Sequence, residues 1–63
     1  DKELFFKFVR DAFKQKRKNL RNNLKEYDLE KVEESLNKIG KDLTYRAEQL
    51  SLEDFVSVFN EIC

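Results

Sequence analysis

The stretch Leu4-Phe5-Phe6-Lys7-Phe8-Val9-Arg10-Asp11-Ala12-Phe13-Lys14-Gln15-Lys16-Arg17-Lys18-Asn19-Leu20-Arg21-Asn22-Asn23-Leu24-Lys25 decides how this chain is read. In its first half Leu4, Phe5, Phe8, Val9, Ala12 and Phe13 recur at helical spacings and make one broad apolar face, while Lys7, Arg10, Asp11 and Lys14 fall elsewhere. Phe6 stands off that face, placed either to cover a second side of the core or to dock on a neighbouring domain. From Lys14 to Asn19 apolar residues vanish. They return as Leu20 and Leu24, four apart, with Asn19 positioned to cap a short helix. A turn is therefore expected over residues 15–18. The rival geometry is one unbroken helix through Lys25, with Lys14, Arg17, Lys18, Arg21 and Lys25 along one stripe. The break is preferred because an unbroken helix would put Lys16 where the apolar stripe should continue. Both geometries display the cations together.

Beyond Lys25 the helical pattern resumes twice. Asp28 is placed to cap a helix whose apolar positions are Leu29, Val32, Leu36 and Ile39, with Glu30, Glu33 and Glu34 toward its positive end. Gly40, the one glycine, suits the left-handed residue that ends such a helix. Residues 41–50 read as a connector or irregular turn. Ser51-Leu52-Glu53-Asp54 then resembles a capping box, with Asp in place of the usual Glu or Gln. The helix it opens should bury Leu52, Phe55, Val56, Phe59 and Ile62, and Leu50 is placed to staple onto Phe55. The expectation is an all-α fold, a small bundle of about four short helices in one domain over residues 1–63.

A chain of 63 residues buries only about 60% of the surface its unfolded form exposes, so its stability should be marginal. Histidine is absent and Cys63 is the single cysteine, which leaves neither a disulfide framework nor a thiolate and imidazole metal site. The core must rest on apolar packing, to which six phenylalanines and two tyrosines contribute large areas. The run Leu4-Phe5-Phe6 is too short to cross a membrane and no secretory signal pattern opens the chain. A soluble, cytoplasmic protein without a membrane partner is expected. An opening on Asp1, a lack of methionine and a close on Cys63 just after a patterned helix suggest a piece of a longer protein.

Net charge is zero, but the charges are segregated. From Arg10 to Lys25 seven bases face one acid, Asp11, a net +6; from Glu26 onward ten acids face four bases, a net −6. The residue types exclude much chemistry. Ser35, Ser51, Ser57 and Cys63 have no histidine to activate them, and Ser51 is already explained as a cap. The pairs Glu33/Glu34 and Glu53/Asp54 sit at helix starts or on outer faces, where solvated carboxylates are usual. One glycine cannot build a phosphate-cradling loop, and no carboxylate run has calcium-loop spacing. What remains is the basic segment of residues 14–25, whose cations can neutralise phosphates while Gln15, Asn19, Asn22 and Asn23 can bond ribose or base edges. No aromatic is interleaved from Lys14 to Glu26, which favours backbone and shape recognition over base stacking. The bland alternative is a solvated cationic face paired with the acidic half of the chain.

Residues 5–24, followed by Arg46-Ala47-Glu48-Gln49-Leu50-Ser51-Leu52-Glu53-Asp54-Phe55, resemble the C-terminal domain of the small-subunit ribosomal RNA adenine dimethyltransferases. The resemblance implies a parent enzyme whose Rossmann-like N-terminal domain binds S-adenosylmethionine and dimethylates N6 of two adjacent adenines near the RNA 3′ end. It implies that this chain is a helical appendix with no cofactor, catalytic or metal site of its own, which grips the immature small ribosomal subunit. Gln15, Lys16, Arg17 and Lys18 match the family's basic Gln-Arg-Arg-Lys turn, with Arg21 following. The RNA-contacting set is thus Lys14, Gln15, Lys16, Arg17, Lys18, Arg21 and Lys25.

Two departures stand out. Lys16 replaces an arginine, a point charge in place of a bidentate fork, and Leu43 lies where a proline is frequent, so the connector could be shaped differently. Arg46 and Glu48 are expected to fix the connector by an ion pair or backbone hydrogen bonds. Two other readings remain open. One is a structural domain packed on the parent's N-terminal catalytic domain; the other is the equivalent domain of a large-subunit RNA adenine methyltransferase that confers antibiotic resistance. The basic turn weighs against the second.

Overall fold

Four α-helices, α1 (Lys2–Ala12), α2 (Leu20–Asn23), α3 (Leu29–Lys38) and α4 (Leu52–Ile62), and one 3₁₀ turn at Ala47–Gln49 make up the computed structural model, which describes residues 2–62. No strand occurs among the described residues, in keeping with the all-α reading. Cys63, weighed above as a nucleophile, lies outside them. The unbroken first helix is not formed. At the end of α1 the Phe13 N–H reaches both Val9 O (3.2 Å) and Arg10 O (3.1 Å), and the Lys14 N–H bonds Asp11 O (3.1 Å). The last turn tightens and the chain leaves the helix.

Local chemistry sets the other helix ends. Asn19 Oδ1 accepts from the Asn22 N–H (3.1 Å) at the start of α2, and Asp28 Oδ1 accepts from the Lys31 N–H (3.3 Å) at the start of α3. Gly40 adopts φ +79°, and the Gly40 N–H bonds Asn37 O (3.1 Å) while the Lys41 N–H bonds Leu36 O (2.9 Å). That pair of bonds is a Schellman ending, which satisfies carbonyls the helix leaves open. At α4 the capping box is reciprocal. Ser51 Oγ accepts from the Asp54 N–H (3.1 Å) and Asp54 Oδ2 accepts from the Ser51 N–H (3.0 Å), so Asp serves where Glu is usual.

Phe8 sits at the centre of the core, its ring 5.3 Å from Tyr27, 5.9 Å from Phe59 and 6.3 Å from Phe55. Around it are buried Ala12 of α1, Leu20 of α2 and Leu24 just after it, Val32 and Leu36 of α3, and Phe55, Val58 and Phe59 of α4. Each fully buried Val, Leu or Phe contributes about 1.5–3 kcal/mol. Ser35 is also buried; its hydroxyl donates back to Val32 O (3.0 Å) and so carries no unmet hydrogen bond.

Four apolar assignments are corrected. Leu4, in the first turn of α1, and Phe13, just past its end, both expected on the buried face, are exposed, while Phe8 and Ala12 are the buried residues of that helix. In α4 the stripe through Phe55, Val58, Phe59 and Ile62 meets the core. Leu52 and Val56 are exposed at its end and edge, and Val58 takes the place expected for Val56. Leu43, in the connector, is almost fully buried. A turn around Asp42 turns it inward: Asp42 Oδ1 accepts from the Thr44 N–H (2.8 Å), and the Tyr45 N–H closes on Asp42 O (3.2 Å).

Candidate nucleic-acid interface

Between α1 and α2 the basic residues are carried by a fixed turn. The Lys18 N–H bonds Gln15 O (3.0 Å), which leaves Lys16 and Arg17 at the tip. Asn23 Nδ2 donates to Ala12 O (2.8 Å) and to Gln15 O (3.0 Å), so one amide fastens both the end of α1 and the start of the turn to α2. From the other side, the connector supplies acceptors for the open N–H groups of α2: Leu20 N–H to Tyr45 O (2.8 Å) and Arg21 N–H to Leu43 O (3.1 Å). Leu43 thus works through its side chain in the core and its carbonyl on α2, whatever residue is frequent there in relatives.

Lys14, Gln15, Lys16, Arg17, Lys18, Arg21 and Lys25 are all exposed. The structure places five of them in two groups that share Gln15. Lys16 and Lys18 border a recess of about 290 Å³ whose other walls are Ala12, Phe13, Ala47 and Glu48. Lys14 and Lys25 border a smaller one of about 70 Å³ with Asn22, Asn23 and Glu26. Arg17 stands at the turn's tip and lines neither. Arg21 leans toward α3, its Nη2 3.8 Å from Glu33 Oε2, a solvent-exposed pair of little energetic weight.

The one acid of the segment is already engaged. Asp11 Oδ2 accepts from Lys7 Nζ (2.8 Å) and from the Tyr27 hydroxyl (2.7 Å). The Lys7 bond, then the Tyr27 bond, hold the Asp11 carboxyl below the ordinary range. Tyr27 is pushed up, first by burial and then by its bond to Asp11. The field of the turn is therefore set by the bases. Asn19 and Asn23, read as groups for ribose or base edges, are instead spent inside the fold as a cap and a clamp.

Arg46 and Glu48 form no ion pair with each other among the described residues; the connector is fixed by the Arg46 N–H to Gln49 Oε1 (2.9 Å) and the Gln49 N–H to Arg46 O (2.9 Å). Sequence reasoning missed Phe13 and Glu48 as parts of this surface. Phe13 has an apolar residue's place in the helical period, and nothing local signals that residue 48 returns beside residue 16. No group of three or more potential metal ligands occurs among the described residues.

Over 98% of its length the chain is 48% identical to the Ribosomal RNA small subunit methyltransferase A of Chlorobium phaeobacteroides and 44% identical to that of Protochlamydia amoebophila. Over 89% of its length it is 52% identical to the protein of that name in Saccharophagus degradans. The chain is similar to the C-terminal region of these methyltransferases. It spans about a fifth of their length (21%, 22% and 20%). No family model matches, and no solved structure does. The similarity to methyltransferase A agrees with the family resemblance carried by residues 5–24 and 46–55. Those two blocks, far apart in sequence, meet in the fold: Ala12, Phe13, Gln15, Lys16 and Lys18 of the first and Ala47 and Glu48 of the second share the larger recess.

Proposed function

We propose that this chain, over residues 1–63, is the RNA-contacting and orienting C-terminal domain of a cytoplasmic ribosomal RNA adenine dimethyltransferase. The parent would act on the immature small ribosomal subunit with S-adenosylmethionine as methyl donor. One observation carries the reading: the Gln15–Lys18 turn is held on both sides by hydrogen bonds and presents its bases to solvent while the neighbouring acid is engaged elsewhere. A pre-formed cationic projection binds a phosphate backbone without first losing the entropy of ordering a loop. Lys14, Lys16, Arg17, Lys18 and Lys25 supply phosphate contacts, with Arg21 a weaker member because Glu33 competes for it. The small-subunit name of the relatives supports that substrate over the large subunit.

The cofactor does not fit these residues. A methyl donor of this kind is cradled by closely approaching backbone, and the one glycine, Gly40, is committed to the end of α3. The chain's work is therefore positioning, and methyl transfer belongs to the preceding part of the parent. A second reading is favoured by Leu4 and Phe6, which are 54% and 60% exposed on α1 beside an open groove. That face suits packing on the parent's catalytic domain, and the two roles use different residues.

Binding to small-subunit ribosomal RNA across a salt series tests the proposal. With four or five cations displacing counterions, log affinity should fall against log salt with a slope of about −3 to −5. A chain with no measurable affinity at low salt would leave the packing role standing alone.

A further inference from the structure

Of the two recesses at the basic turn, only the larger has an aromatic wall. Phe13 is 42% exposed; its ring lies 5.9 Å from Phe55 and tilted 36° to it, so it is backed by the core while it borders the recess. Lys16 and Lys18 also line it, as does Glu48 on the 3₁₀ turn. Glu48 is exposed and belongs to none of the ion pairs among the described residues. A carboxylate in the wall would oppose a phosphate seated there, so the recess is not built for the RNA backbone alone. Its volume of about 290 Å³ falls near the lower end of small-ligand sites, about 300 Å³.

An exposed aromatic face, flanking cations and an unpaired acceptor are together the requirements of one unstacked nucleotide. Its base lies against Phe13, its phosphates meet Lys16 and Lys18, and the donors of its edge meet the carboxylate. Guanine is the base whose Watson–Crick edge offers two adjacent donors, N1–H and the N2 amino group, to the two oxygens of one carboxylate. We propose that the recess between Phe13, Lys16, Lys18 and Glu48 receives a single extruded guanine of the bound RNA. The inference rests on the RNA-contacting reading and adds to it a base-specific contact that charge alone does not give.

The test compares two synthetic RNA hairpins that differ only by one unpaired guanosine, bound to the 63-residue chain with helicity checked by circular dichroism. The bulged hairpin should bind about tenfold or more tighter. Phe13→Leu should abolish most of that preference with the salt slope unchanged, and Phe13→Tyr should retain it. Glu48→Gln, or inosine in place of guanosine, should reduce the preference while an adenosine bulge gains nothing from Glu48. Equal affinity for the two hairpins, or a preference untouched by both Phe13→Leu and Glu48→Gln, overturns the guanine site and leaves the phosphate reading intact. Absence of binding to either hairpin at low salt overturns both.

Discussion

Asp11 is the residue on which the basic surface turns, because it is the acid that would otherwise offset the cations around it. Its engagement by Lys7 and Tyr27 has a consequence for stability. The Asp11 pKa is lowered from the ordinary value of 3.8, so its contribution is in place above that value and is lost as pH falls through the lowered one. Tyr27→Phe should cost about 1 kcal/mol at neutral pH. Denaturant unfolding should show that gap constant down to about pH 5 and narrowing below about pH 4. A gap that widened in acid would contradict the assignment. Lys7, one turn before Asp11, is a local partner, but Tyr27 lies sixteen residues away and reaches the carboxylate only in the folded chain, where its ring packs on Phe8. Asn23 was illegible for the same reason. Its two acceptors belong to Ala12 and Gln15, across the turn.

At the scale of elements, starts and stops were legible because their causes are local. Asn19, Asp28, Gly40 and Ser51 each act within three residues or so of their own position, and each does what its type and place imply. Which face a helix buries is not local. Leu52 and Val56 satisfy the helical period as well as Val58 does, and the choice among them depends on where α3 lies against α4. The connector was the least legible part, since Leu43 is buried by a turn whose purpose is to present carbonyls to α2. The clamp between α1 and α2 also makes a prediction at this scale. Asn23→Ala removes both side-chain bonds that clamp the basic turn to α2, and should destabilise the chain by about 1–2 kcal/mol. RNA affinity should drop severalfold while the salt slope stays near its original value, because the cations remain but are no longer pre-positioned. A change in slope without a change in stability would show that the clamp has been misread.

The whole molecule is small, with a Cα radius of gyration of 10.2 Å, and its one core lies under charges divided by sign along the sequence. The halves do not simply neutralise one another. Among the described residues only Arg21 of the basic segment reaches an acid of the later half, Glu33, whereas Lys38–Glu61 (2.7 Å) and Lys41–Asp54 (3.8 Å) pair within that half. The bland reading of the basic segment as a face paired with the acidic one therefore loses its main support, which favours the proposed polyanion partner. The most direct measurement is the salt dependence of ribosomal RNA binding for two triple variants. Lys16→Gln/Arg17→Gln/Lys18→Gln should lower affinity and flatten the slope by about 2 to 3, whereas Lys2→Gln/Lys31→Gln/Lys38→Gln, with the same loss of charge, should leave the slope within about 1 of the unaltered chain. Equal slopes for the two variants would contradict a binding surface centred on the Gln15–Lys18 turn.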